Sequence, residues 1–462
     1  MARNDALVRA ERYFDDGGFF QDLARRVAMA TESQDRSQRP ELRRYLEQEM
    51  TPTFERLGFT CSVFDNPLGA DEPPFLVAHR HEGDGLTTMF GYGHGDVVLG
   101  YDDQWTDGLS PWELRQVGDH WYGRGTADNK GQHSINLAAL DAVLQERGTL
   151  GYNVVYLIET GEEAGSPGLR EFCSANRDLL AADVLLASDG PRLTPDNPTL
   201  FMGTRGAVNF ELSVDLRSGG HHSGNWGGLL ANPGVILAHA LASIITVTGE
   251  ILVPELRPPA IPDSVRAAIH HLSVGQGEGM PEIDPNWGEP GLTPSERVFG
   301  WNTFEVLAFT TGDPDRPANA VPPRARAHCQ IRFVVPSDPE AMLSGLRRHL
   351  DEAGFDQVNL TSSHQAMMAT RLNPDHPWAR WAAGSIERTT SAPTVLPNLG
   401  GSLPNDVFSD ILGLPTLWVP HSYAGCSQHA PDEHLLDWVA RDGLRTMTGL
   451  LWDLGELDAI PV

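Results

Sequence analysis

The sequence predicts an α/β fold: a mostly parallel sheet flanked by helices, with a second, α+β unit inserted into it. Two observations carry the prediction. Short apolar runs ending in a polar residue alternate with amphipathic segments, the pattern of a sheet covered by helices. After Thr204 the texture changes to apolar–polar alternation, as in a half-solvated antiparallel sheet, and near Asn373 the first texture returns. A length of 462 residues suits two domains. The expected division is 1–204 with 370–462 for the larger domain and 205–369 for the insert, whose size is normal for one domain.

In chain order, residues 18–58 read as helical, because apolar positions recur at three and four in FFQDLARRVAM and PELRRYLEQEMTPTFERLG. FLVAHR and TTMFGYG are short strands, the second ending at His94. The turn GRGTADNKGQ leads into a helix, SINLAALDAVLQERG. YNVVYLIE is a strand closing on a glycine and two glutamates, and ADVLLASDG is a strand closing on a carboxylate. In the insert, GAVNFELSVDLRS, WNTFEVLAFTTG, RARAHCQIRFVV and QVNLTSS read as strands; NPGVILAHALASIIT and PEAMLSGLRRHLDEAG read as helices. Residues 250–300, rich in Pro, Gly and Glu, read as loops. WARWAAGSIERTT, LPTLWVP and LLDWVARDGLRTMTGLLWDL restore the α/β texture.

Composition excludes several classes. Asp plus Glu number 62 against 34 Lys plus Arg, a formal charge of -28 with no basic run, so nucleic acid is not an expected partner. Cys61, Cys173, Cys329 and Cys426 form no CxxC pair, which suggests reduced, buried thiols. No stretch approaches the roughly 20 apolar residues of a membrane span. The charged start, MARNDALVRAERYFDD, lacks the apolar core of a signal peptide, so the cytoplasm is the expected compartment.

Five segments offer chemistry: GHGD (His94, Asp96), GRGTADNKGQ (Asp128), ETGEEAGS (Glu162, Glu163), ASDG (Asp189) and QHAPDEHL (His429). Taken singly, each has an ordinary explanation: a surface turn, a solvated acidic face, a loop histidine. Together they place two imidazoles and several carboxylates at strand ends or in the adjoining turns. α/β folds put their sites there. The N/O donor set suits zinc, with manganese or cobalt as alternatives.

With these motifs in this order, nearly the whole chain resembles the dinuclear-zinc exopeptidases and deacylases. That family includes carboxypeptidase G, aminoacylase, acetylornithine deacetylase, succinyl-diaminopimelate desuccinylase and the carnosinase-type dipeptidases. The resemblance implies that His94 and Asp189 hold one metal, Glu163 and His429 the other, and Asp128 bridges both. It implies that Asp96 orients His94 and that Glu162 is the general base. Two divalent ions, zinc before manganese or cobalt, would then activate a hydroxide that cuts an amide or peptide bond.

The insert becomes, on this resemblance, a lid and dimerisation domain. His222, at the start of the HSG in HHSGNWGG, reaches a partner subunit's site and stabilises the oxyanion, so a homodimer is implied. Arg332, in QIRFVVP, binds a substrate carboxylate, and an arginine fork suits that group. Asn319, in NAVP, and Gly401 and Ser402, in GGSLPND, complete the substrate contacts. The implied substrate is a small carboxylate-bearing molecule, a dipeptide or an N-acyl amino acid. Two other readings compete: an aminohydrolase or carbamoyl hydrolase on a non-peptide molecule, and a binding homologue without catalysis. The 250–300 segment, with DPNWGEPG, has no counterpart in the resemblance, and Gly161 stands where family members often carry an acid.

Overall fold

The computed structural model of the chain describes residues 2–275, 281–362, 366–457, 459 and 461. Residues 276–280 of the expected loop and Ser363 of the last expected strand lie outside them.

The leucine- and valine-rich runs of the larger domain form an eight-stranded sheet. Its order is Thr60–Phe64, Phe75–Arg80, Asn153–Glu159, Thr88–His94, Val184–Ala187, Thr416–Trp418, Thr199–Phe201 and Thr394–Leu396. The central strands run parallel, from Asn153–Glu159 through Thr88–His94 and Val184–Ala187 to Thr416–Trp418. The first two strands form an antiparallel edge. Parallel strands need both faces covered, and successive side chains go to opposite cores. Val154, Tyr156 and Ile158 enter one apolar cluster while Val155 and Leu157 enter the other. Helices Lys130–Arg147 and Asp437–Leu454 line the first face; helix Leu169–Ala175 lines the second.

Several elements were not expected, the first helix and the first strand among them. Arg3–Asp15 is a helix, because its charged residues leave Ala6, Leu7 and Ala10 on a narrow buried stripe against Asp437–Leu454. Thr60–Phe64 is a strand although it is mostly half-exposed, since an edge strand has one neighbour and needs no continuous apolar run.

A separate four-stranded antiparallel sheet has the order Thr303–Thr311, Arg324–Phe333, Gly206–Asp215, Asn359–Ser362. Burial alternates along Arg324–Phe333, so one face carries a core. Val208, Phe210, Leu212 and Val214 meet Leu237, Ala240 and Ile244 of helix Pro233–Ile244 there. Met342, Leu346 and Leu350 of helix Pro339–Glu352 complete that core.

The stretch read as loops is a correction. It contains helices Asp263–Ile269 and Pro294–Phe299. Thr293 and Glu296 form a capping box at the second, with Pro294 in its first turn. Ile261, Val265, Ile269 and Phe299 are buried in the larger domain's second cluster, not in the insert's core. The segment therefore crosses back onto the sheet, and each such side chain contributes on the order of 1.5–3 kcal/mol. Proline- and glycine-rich composition concealed two short helices whose apolar face is only one turn long.

Candidate metal centre

Each candidate ligand is carried to one rim by the direction of the parallel strands. His94 is the last residue of Thr88–His94 and Asp189 follows Val184–Ala187 by two. Glu162 and Glu163 open a single 3-10 turn after Asn153–Glu159. Gly161 allows that turn, because a Cβ there would stand 2.9 Å from the Pro73 ring. Asp128 ends the loop before helix Lys130–Arg147, and this helix lies close to the strand because position 93 is glycine. A Cβ at Gly93 would sit 2.7 Å from that of His133.

The ligands converge in two triads that share Asp128. His94, Asp128 and Asp189 form one and Asp128, Glu163 and His429 the other, with donor atoms within 4.8 Å of one another in each. His94 Nε2 lies 2.9 Å from Asp128 Oδ1 and 3.6 Å from Asp189 Oδ2. His429 Nε2 lies 3.1 Å from both Asp128 Oδ2 and Glu163 Oε2. Asp128 thus turns one oxygen to each imidazole, as a bridging carboxylate must.

Asp96 meets His94 through its backbone carbonyl as well as its carboxylate. The closest partner of His94 Nδ1 is the Asp96 backbone carbonyl at 3.1 Å, while the carboxylate is 3.5 Å away. The carbonyl accepts from Nδ1–H, which leaves Nε2 free to face Asp128 and Asp189. The Asp96 carboxylate also accepts from the Glu162 and Glu163 backbone N–H groups, at 3.2 and 3.0 Å. It fixes the glutamate turn.

Electrostatics argue that the cluster lacks positive charge. Burial, reinforced by Asp128, pushes Asp189 and Glu163 up to about 7. Burial also raises Glu162, with Glu163, Asp189 and Asp128 adding to the effect and His94 opposing it. His429 is raised to about 11 by hydrogen bonding to Asp128 and Glu163. Burial would raise Asp128 as well, but hydrogen bonds from His429 and His94 hold it low. Asp189 Oδ2 is buried and has no hydrogen-bond partner among the described residues. Four carboxylates, two imidazoles and an unsatisfied buried oxygen fit two divalent cations, whose charge would balance Asp128, Glu162, Glu163 and Asp189.

Sequence reasoning missed the residue that ties the loops together. Glu433, four positions after His429, is buried and pairs with buried Arg124 at 2.8 Å. Its other oxygen accepts from the N–H groups of Gly125, Ala127 and Asp128, at 3.1, 3.0 and 3.1 Å. The Asp128 loop and the His429 loop are thereby one unit. Opposite charges in GRGTADN and QHAPDEHL were the available signal. His429 itself adopts a left-handed backbone (φ 61°), uncommon for a non-glycine residue and frequent at functional sites.

A cavity of about 480 Å³ opens over Asp128, Glu162, Asp189 and His429, within the usual range for a small-molecule site. Arg332, Gly401 and Ser402 line it too. Arg332 Nη1 donates to Ser402 Oγ (2.7 Å) and Nε donates to Gln330 Oε1 (2.9 Å), and no ion pair of Arg332 with a carboxylate is seen among the described residues. His222 and Asn319 are not brought to this cavity. Both are exposed, and they are neighbours through the pairing of His222 with Ala320.

Residues 91–453 match the family model described as peptidase family M20/M25/M40. The Beta-Ala-His dipeptidase of Mus musculus is 26% identical over 495 residues, covering 98% of this chain and 97% of its own. The cysteinylglycine-S-conjugate dipeptidase of Corynebacterium striatum is 32% identical over 304 residues, 62% of each chain. Among solved structures, the di-peptidase Dug1p of Saccharomyces cerevisiae matches with a TM-score of 0.80 at 20% identity, over 99% of this chain and 100% of its own. At that identity the match speaks for the fold.

Proposed function

The chain belongs to peptidase family M20/M25/M40, and on that premise we propose that it is a dinuclear-metal dipeptidase cutting the peptide bond of a small substrate with a free carboxylate. One observation carries the reading: two triads sharing Asp128 face, across one cavity, an arginine that has no acidic partner among the described residues. The similar dipeptidases of mouse and Corynebacterium support a dipeptide as substrate.

His94 and Asp189 would hold one cation and Glu163 and His429 the other, with Asp128 available to both. Zinc is the metal this donor set favours, with manganese or cobalt as alternatives. Two cations held there would supply a Lewis acid for the scissile carbonyl and would lower the pKa of a water. Arg332 takes the substrate carboxylate in its guanidinium fork, with Ser402 and the Gly401 backbone beside it. Glu162 accepts a proton from the attacking water and delivers it to the departing amine nitrogen. Its burial suits this role, since desolvation raises its affinity for a proton.

The boundaries at 204/205 and 369/370, the homodimer through the insert and the cytoplasmic setting belong to the same proposal. His222 and Asn319 are exposed and lie outside the chain's own cavity, which suits a contribution to a partner subunit's site. No helix among the described residues is long and apolar enough to cross a membrane. The test is hydrolysis of dipeptides and N-acetyl amino acids before and after chelation, followed by metal return. Dipeptide turnover abolished by chelator and restored by zinc is expected; chelator-resistant turnover would refute the proposal.

A further inference from the structure

The cavity carries a second feature, independent of the metal triads. The cavity that Arg332 lines has an apolar wall that includes Val274, Val298, Phe299, Leu399 and Leu403. Leu399 and Leu403 bracket Ser402, the residue whose hydroxyl accepts from Arg332 at 2.7 Å. Gly400, between them, packs on Val298 so closely that a Cβ would lie 2.9 Å from Val298 Cγ1. The apolar surface therefore adjoins the carboxylate end of the cavity.

Charged groups in the rest of the lining are already committed. Arg192 donates to Asp442 at 2.7 Å and to the carbonyls of Pro195 and Pro420 at 3.1 and 3.3 Å. Of the acids that line the cavity, Asp128 and Asp189 belong to the metal triads, and Glu162 is the proposed proton carrier. A charged side chain placed beside Arg332's end would lose its water without gaining a dedicated partner. An apolar one would be buried against the wall.

From this we infer that the substrate's C-terminal residue carries a bulky apolar side chain, and that the 250–300 segment sets this preference through Val274, Val298 and Phe299. The inference rests on the dipeptidase reading, because it uses Arg332 as the carboxylate anchor. The wall has a firm footing: Phe299 is buried with Ile261, Val265 and Ile269 in the core beneath the sheet. A substrate side chain thus meets a surface shaped before binding.

The experiment measures kcat/KM for Ala-Gly, Ala-Leu, Ala-Phe, Ala-Asp and Ala-Lys with the metal-loaded enzyme. Ala-Leu and Ala-Phe should exceed Ala-Gly by roughly tenfold or more, the scale of hydrophobic discrimination in enzyme pockets, and Ala-Asp and Ala-Lys should fall below Ala-Gly. Turnover of all five with Ala-Gly, Ala-Asp or Ala-Lys at the level of Ala-Leu would overturn the inference and leave the dipeptidase reading standing. No turnover of any would instead overturn the dipeptidase reading. Val298→Asp, checked for an unchanged far-ultraviolet circular dichroism spectrum, should shrink the Ala-Leu to Ala-Lys ratio at least tenfold; the milder Val298→Thr should shrink it less. An unchanged ratio in both folded variants would remove Val298 from the wall.

Discussion

His94 and Asp189 stand at the ends of neighbouring parallel strands and are 0% and 1% exposed, whereas His429 stands on a loop with 54% of its side chain exposed and Glu163 on one 3-10 turn. The difference shows two ways of placing a ligand. In the first half, the sheet's hydrogen bonds and two apolar cores fix the backbone, so the donor positions are set when the domain folds. In the second half, position comes from polar tethers: Asp96 on the glutamate turn, Glu433 with Arg124 on the loops. Asp128 is the joint between the halves, which makes it the point where a single change reaches both.

The largest effect should therefore come from Asp128→Asn. Activity should vanish and neither cation should bind at micromolar concentration, read by equilibrium dialysis and elemental analysis; retention of one cation at full affinity would show that the halves are independent. Glu162→Gln comes next. It removes the proton carrier and no triad member, so kcat should fall by roughly 10²–10⁴-fold with metal content unchanged. Normal turnover in this variant would reassign the base.

The contrast between the halves is sharpened by a pair of variants. His94→Ala should lower the stability of the metal-free protein by on the order of 3 kcal/mol, because it leaves buried carboxylates without their partner. His429→Ala, at a half-exposed position, should lower metal-free stability by less, although Asp128 and Glu163 lose a hydrogen-bond donor there too. Denaturant unfolding measures both, and equal losses would erase the distinction between a sheet-built and a loop-built half. The smallest effect is expected from Arg332→Met: KM for a dipeptide should rise by roughly 10–100-fold, the worth of one charged hydrogen-bonded contact. A KM within a factor of two of the parent would take the carboxylate away from Arg332.

The same contrast explains what could be read from the sequence. The sheet-built half was legible, since apolar runs ending in His94, Glu159 and Asp189 announce strands and point their last residues to one rim. The insert's alternation was equally plain and became an antiparallel sheet with one buried face. Tethers were not legible. Glu433 and Arg124 are 309 residues apart, so the opposite charges of their segments mark a pair only once the fold brings them together. Asp96 was found, but spacing cannot tell that its carbonyl serves His94 while its carboxylate serves the glutamate turn. The helices within 250–300 escaped because Pro and Gly outweigh a one-turn apolar face. The signature Thr293-Pro294-Ser295-Glu296 was a usable helix start.

The central claim is that one carboxylate, Asp128, serves two cation sites in each chain. Metal-free protein titrated with zinc by isothermal calorimetry, with elemental analysis of the dialysed product, tests it most directly. The account predicts two equivalents per chain in the parent, one in His429→Ala and none in Asp128→Asn. A single equivalent in the parent, or two retained in Asp128→Asn, would contradict it.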